Sequence, residues 1–237
     1  TIDKIKAFED SIQTIWTEEQ LKEMVSNILK LKRFLAMLLE NLFPTPIGFF
    51  KYEEGLTEDQ ERLLVDQPQR SNDGNTSSVD KYILKNKKFS HLTTFIEKCL
   101  HEYMMATICP KNDVRLRITQ SWLNWTKPGQ FHHKHAHPNS LISGCFYLKA
   151  NKETDKIFFY KNGYQQIKFP PVEWNSYNSE SWWYSVGTGD LIFFPSELTH
   201  MVQTVGGDDT RISIAFNTFP VGHVGDEDEL TALYLEK

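Results

Sequence analysis

Nowhere does this chain approach the roughly 18 consecutive apolar residues that a membrane-spanning helix needs, and its first residues show no signal-peptide pattern. Cysteine is scarce. Cys99, Cys109 and Cys145 are odd in number and lack any paired or metal-type spacing, which excludes a disulfide framework and suggests reduced thiols. There is no basic run, and a net charge of -5 with a pI near 5.9 argues against nucleic acid or an anionic membrane as a partner. Internal repeats and low-complexity tracts are missing too. Together these absences predict a soluble, cytoplasmic protein. What is present is ample core material, with 40% hydrophobic and 13% aromatic residues over 237 positions. That suits one sizeable β-rich domain better than two small ones.

The chain opens with helical spacing. Ile2, Ile5, Phe8, Ile12 and Ile15 predict a helix over 2–16, and Thr17-Glu18-Glu19-Gln20 reads as a capping box starting another. Leu21, Met24, Val25, Ile28, Leu31, Leu35 and Leu38 continue that second stripe towards Pro44. Residues 1–42 are therefore read as a helical extension, whose stripe covers the main domain or forms a homo-oligomer contact. Phe43-Pro44-Thr45-Pro46 gives a rigid entry to the domain at 43–237. Its helical support, 43–112, holds a capped short helix from Thr57 to about Val65 and a second helix marked by Leu92, Phe95, Ile96, Leu100 and Tyr103. Between them, Gln67 to Ser78 is polar and reads as a surface loop.

After Asp113 the period changes to two, with Val114, Leu116 and Ile118 alternating with Arg115, Arg117 and Thr119. Strands are expected to follow at about 139–149, 156–160, 183–187, 190–195, 200–205 and 211–219, a β core over 113–220. Helices first and short strands afterwards predict an α+β fold, a helix-supported sandwich or barrel. Phe159, Tyr160, Tyr164, Trp174, Tyr177, Trp182 and Trp183 either line a cleft or coat the outside of that barrel, the second being the plainer reading.

The chemistry concentrates in Gly129-Gln130-Phe131-His132-His133-Lys134-His135-Ala136-His137-Pro138. On a strand, His135 and His137 project to one face, where neutral imidazoles serve as metal ligands once a third joins them. His132 and His133, being adjacent, are expected on opposite faces, and a pair of His133 with His135 is an alternative. The third ligand is expected at His200, closing the apolar strand and proline corner Asp190-Leu191-Ile192-Phe193-Phe194-Pro195. Eleven residues later Arg211 and Ser213 share a strand face, where a planar guanidinium and a hydroxyl suit a carboxylate. Asn124, sharing a face with Trp122 and Thr126, is expected to point into the same pocket.

From Ser121 to Asn217 the sequence resembles the Fe(II)/2-oxoglutarate-dependent oxygenases. It looks most like a group common in phage and bacterial genomes, which carries a His-x-His-Pro…Ser-Gly…Tyr-Leu pattern. Here that is His135-Ala136-His137-Pro138…Ser143-Gly144…Tyr147-Leu148, with Gly189-Asp190…Pro195…His200…Arg211-Ile212-Ser213 after it. The resemblance implies a double-stranded β-helix (jelly roll, cupin-like) with Fe(II) at its mouth, held by His135, His137 and His200. It implies 2-oxoglutarate as cosubstrate, gripped by Arg211 with Ser213 and Asn124, and O2 as oxidant. The implied activity is a dioxygenase coupling oxidative decarboxylation of 2-oxoglutarate to substrate hydroxylation, with a peptide or protein side chain as substrate by analogy, in a host cytoplasm if phage-encoded. One departure matters, because the superfamily usually has a carboxylate where His137 stands, completing a 2-His-1-carboxylate triad. The cupins, which share the barrel, offer an alternative as metal-binding proteins or enzymes without 2-oxoglutarate. A non-catalytic phage interaction module is the third reading.

Overall fold

A computed structural model describes residues 17–34, 39–163, 167 and 169–236. The helix expected over 2–16 lies outside them, as do Leu35 and Leu38 of the second stripe. The chain forms two compact units, Thr1–Pro44 and Thr45–Lys237. In the first, α1 (Glu18–Phe34) starts at the predicted capping box. The Thr17 amide donates to Gln20 Oε1 at 2.8 Å, and the Gln20 amide donates to Thr17 Oγ1 at 3.3 Å.

The second unit is built on two antiparallel sheets. The larger has eight strands in the order β1-β9-β6-β11-β4-β3-β2, with β12 also pairing β11. Its members are β1 (Gly48–Lys51), β2 (Gln69–Ser71), β3 (Thr76–Ser78), β4 (Val114–Thr126), β6 (Ile142–Lys149), β9 (Asp190–Pro195), β11 (Arg211–Val224) and β12 (Leu233–Leu235). The smaller sheet runs β5-β10-β7-β8, from β5 (His132–His135), β10 (His200–Val202), β7 (Lys156–Tyr160) and β8 (Ser181–Ser185). Two sheets with helical backing fit the helix-supported sandwich or barrel that the sequence predicts, and the double-stranded β-helix that the resemblance implies. The strand expected from 139 begins at Ile142, because Asn139 takes a positive φ of 56° in the turn after Pro138.

Each face of the large sheet has its own core. Outward-facing Leu123, Trp125, Phe146, Phe193, Ile214 and Phe216 are buried with Leu92, Ile96, Leu100 and Tyr103 of α3 (Ser90–Thr107). The short α2 (Glu58–Val65), capped by Thr57 and Gln60 as predicted, adds Leu64. Facing the small sheet are Cys145, Tyr147, Ile192 and Phe194, packed with Ile157, Phe159 and Leu198. Gly144 in the Ser-Gly pattern has a packing reason: it pairs with Phe216, and a Cβ there would overlap the Phe216 ring.

The stretch 67–78 corrects the expectation of a surface loop. β2 and β3 form a hairpin that extends the large sheet beside β4. The turn chemistry of Ser71 to Asn75 signals it, but its strands lack the usual apolar alternation because their buried residues are serines that meet polar partners. Buried Ser78 accepts the Leu123 amide at 3.0 Å and donates to the Asp80 carbonyl at 2.6 Å.

Candidate functional site

His135 closes β5 and His200 opens β10, and they are direct antiparallel partners, with Phe159 opposite His200 on its other side. His137 follows two residues later, its amide donating to the Ser196 carbonyl at 2.9 Å. One ring nitrogen from each of His135, His137 and His200 lies within 4.8 Å of the others. Ring centroids stand 4.4 Å apart for His135–His200 and 5.0 Å for the other two pairs.

The outer contacts of these rings decide what they can do. His135 Nδ1 donates to the His133 carbonyl at 2.7 Å, and His200 Nδ1 donates to the Leu198 carbonyl at 3.0 Å. His137 Nδ1 stands 2.5 Å from Asn217 Oδ1 and 2.9 Å from Ser143 Oγ. A carbonyl oxygen only accepts, so each Nδ1 carries the proton and each Nε2 keeps its lone pair. Metal-binding imidazoles are oriented in this way, and three such nitrogens fit Fe(II) as they fit other borderline divalent ions.

Electrostatics agree with neutral rings. Burial is the main cause pushing His137 down to about 4 and His132 down to about 3, with neighbouring rings adding to it. His135 and His200 are lowered for the same first reason. The folded, metal-free protein therefore keeps these rings neutral where an unfolded chain, near 6.5, takes up protons. Stability falls as pH drops from about 6.5 towards 4, at up to about 1.4 kcal/mol per pH unit for each such histidine. Thermal melts of the metal-stripped protein across that range should show a falling Tm; a flat profile would contradict the burial.

Arg211 is 3% exposed and lies at the start of β11. Its Nη1 donates to the Lys156 carbonyl and its Nη2 to the Tyr147 hydroxyl, both at 3.2 Å. Among the described residues no carboxylate lies within 4.0 Å of it, which for a buried guanidinium points to a missing anion. Strand register puts Ser213, Asn124 and Tyr147 in one row on the inner face, with Arg211 and Asn217 on that face of the same strand. Asn124 Oδ1 is buried without a partner, another mark of an absent ligand. Turned over, that amide offers two N–H donors to a carboxylate.

The structure thus brings His135, His137 and His200 together, and lines Arg211, Ser213 and Asn124 along one inner face. It corrects the expectation that His132 and His133 point to opposite faces. Their ring centroids are 5.1 Å apart, and His132 stacks on His135 at 4.5 Å. The cause is a bulge: His200 pairs His135 and Val202 pairs His132, so three steps on β5 oppose two on β10. His132, His133 and His135 consequently form a second cluster of nitrogens within 4.8 Å. Sequence reasoning quoted Ser143 and Tyr147 within the family pattern without giving them a role at the site, and missed Asn217. Reading 143, 145 and 147 against 211, 213, 215 and 217 with a period of two would have found them.

Residues 120–217 match a family described as "Putative 2OG-Fe(II) oxygenase". Three solved structures share the fold, each with a TM-score of 0.50. One is an oxidoreductase of the 2OG-Fe(II) oxygenase family from Burkholderia pseudomallei, 11% identical, covering 73% of this chain and 83% of its own. Another is HygX from Streptomyces hygroscopicus with nickel, 2-oxoglutarate and hygromycin B bound, 10% identical, covering 73% and 82%. The third is the epimerase SnoN with Fe3+, alpha ketoglutarate and nogalamycin RO, 12% identical, covering 75% and 81%. No curated protein matches. The fold is the double-stranded β-helix of the 2OG-Fe(II) oxygenases. Residues 120–217, about two fifths of the chain, are similar to that family, and the solved structures share its fold. Among the described residues no helix is long and apolar enough to cross a membrane.

Proposed function

We propose that residues 43–237 are the catalytic domain of a hydroxylase, with His135, His137 and His200 holding Fe(II) and Arg211 anchoring 2-oxoglutarate. The observation that carries this reading is the buried guanidinium without a carboxylate, on the same sheet face as contacts of a three-imidazole cluster. Bound iron supplies the oxidising chemistry: O2 is consumed, one oxygen atom entering the succinate formed with CO2 from 2-oxoglutarate, the other entering a substrate C–H bond as hydroxyl.

The chain's part is binding and orientation. Arg211 meets the distal carboxylate of 2-oxoglutarate, with the Ser213 hydroxyl and Asn124 amide beside it. The Tyr147 hydroxyl accepts from Arg211 and so helps to hold the guanidinium in place. Phe194 and Phe159, at 4.7 and 6.2 Å from the His200 ring, keep water from one side of it. His137, in place of the usual carboxylate, is served by Asn217 and Ser143, with Ser143 Oγ 2.8 Å from that of fully buried Ser196. This polar seat matches an N–H donor, so the imidazole is the residue for which the surroundings are made. A peptide or protein side chain is the substrate that family analogy offers, and self-association through residues 1–42 rests on the apolar stripe in their sequence.

Anaerobic addition of Fe(II) and then 2-oxoglutarate is expected to give a weak visible charge-transfer band, and admission of air to release succinate. An intact protein that shows neither overturns the proposal and favours a cupin-like metal binder.

A further inference from the structure

The mouth of the site carries a charge pattern that the cosubstrate does not use up. A cavity of about 270 Å³ opens over His135 and His137, and Arg70, Lys81, Gln120 and Trp122 line it. No carboxylate lines it, in a protein whose net charge is -5. Arg70 on β2 pairs with Ser77, Ser77 with Asn124, and Asn124 with Ser213, so Arg70 stands at the outer end of the inner-face row. Lys81 reaches the same point from the following turn, its Nζ donating to Ser77 Oγ at 3.3 Å and to the Ser78 carbonyl.

An ammonium has three donors, and these bonds occupy two, leaving one for the cavity. Among the described residues neither cation has an acid within 4.0 Å. Asp80, whose charge raises Lys81 in part, forms no ion pair with it and accepts the Tyr82 amide at 2.8 Å. Holding two like charges together next to a part-buried lysine costs free energy, and Lys81 is lowered by burial first and by Arg70 second. An anion between them would offset that cost. Trp122, its ring 5.7 Å from that of His137, gives a flat apolar wall beside the pair.

We infer that the mouth selects a small substrate bearing a carboxylate or a phosphate, gripped by Arg70 and Lys81, with its organic body laid on Trp122 towards the histidines. This rests on the proposed function above and names the substrate class of that site. It displaces the peptide or protein side chain that family analogy suggests.

The test uses the full chain loaded anaerobically with Mn(II) and saturating 2-oxoglutarate, titrated in a calorimeter with phenylacetate, phenyl phosphate and neutral methyl phenylacetate. At least one acid is expected to bind about tenfold or more tighter than the ester, and less tightly at high salt. The preferred acid tells carboxylate from phosphate. Arg70→Ala and Lys81→Met are each expected to weaken that acid by about tenfold, with 2-oxoglutarate affinity within about twofold of the parent. Equal binding of acid and ester, or no binding of either acid, overturns the inference even if a variant fails to fold. A matching loss of 2-oxoglutarate in both variants also overturns it, assigning the cations to the cosubstrate. If the parent chain does not bind 2-oxoglutarate at all, the site reading fails first and this inference falls with it.

Discussion

His200→Ala and His137→Ala are each expected to abolish succinate formation and to weaken Fe(II) binding by more than about a hundredfold, since even outer partners of metal ligands cost 10- to 100-fold. His133→Ala is expected to leave succinate formation within a few-fold of the parent. The contrast matters because two overlapping imidazole clusters share His135, and only one can hold the working metal. Burial and outer contacts favour the inner one. His200 is 7% exposed, packed by Phe194, and its Nδ1 is fixed by the Leu198 carbonyl. His133 faces the Asp73 carbonyl at 3.4 Å near solvent, and His132 Nε2 is 3.4 Å from Asn72 Nδ2, so its lone pair already has a donor. Metal titrations and succinate assays on the three variants decide it. Loss in His133→Ala with retention in His200→Ala would place the metal in the outer cluster and remove Arg211 from its proposed role.

Much of this was legible in the chain because it follows from period and spacing. Alternation after Asp113 marks β4, and the capping patterns at Thr17 and Thr57 mark helix starts to the residue. Arg211 and Ser213 share one parity because a single strand's pleat sets it, whereas His137 lies two residues past the end of β5 and meets His135 and His200 through the turn that follows. What was illegible depends on pairings between distant segments. The bulge that gathers His132 and His133 is set by the register of β5 on β10, across more than sixty residues of sequence. Ser77 and Ser78 look like loop residues until β4 is beside them. Asn217, a polar residue late in a long strand, acquires a role only when His137 and Ser143 meet it. Arg70 and Lys81 belong to the same class, surface-type residues until the hairpin carries them to the histidines.

Arg211→Met is expected to raise the Kd for 2-oxoglutarate by a hundredfold or more while leaving the metal-free protein as stable as its parent, or more so. The two halves have one cause. Among the described residues the guanidinium, a buried charge, donates to the Lys156 carbonyl and the Tyr147 hydroxyl. Its ring contact with Tyr147, 5.0 Å from the guanidinium carbon, is kept in part by the thioether. Replacing a buried charged group by an apolar one of similar volume is often neutral or stabilising by about 1–4 kcal/mol. With the carboxylate bound, the same group makes charge-assisted bonds in a dry setting, and removing it strands the carboxylate at a cost of about 3–5 kcal/mol. Calorimetric titration of 2-oxoglutarate into Mn(II)-loaded protein reads the first half, and thermal melts of the stripped protein read the second. A variant that binds 2-oxoglutarate normally sinks the anchoring role. One that loses both affinity and several kcal/mol of apo stability makes Arg211 a structural cation, its neighbours' geometry the thing the cosubstrate lost.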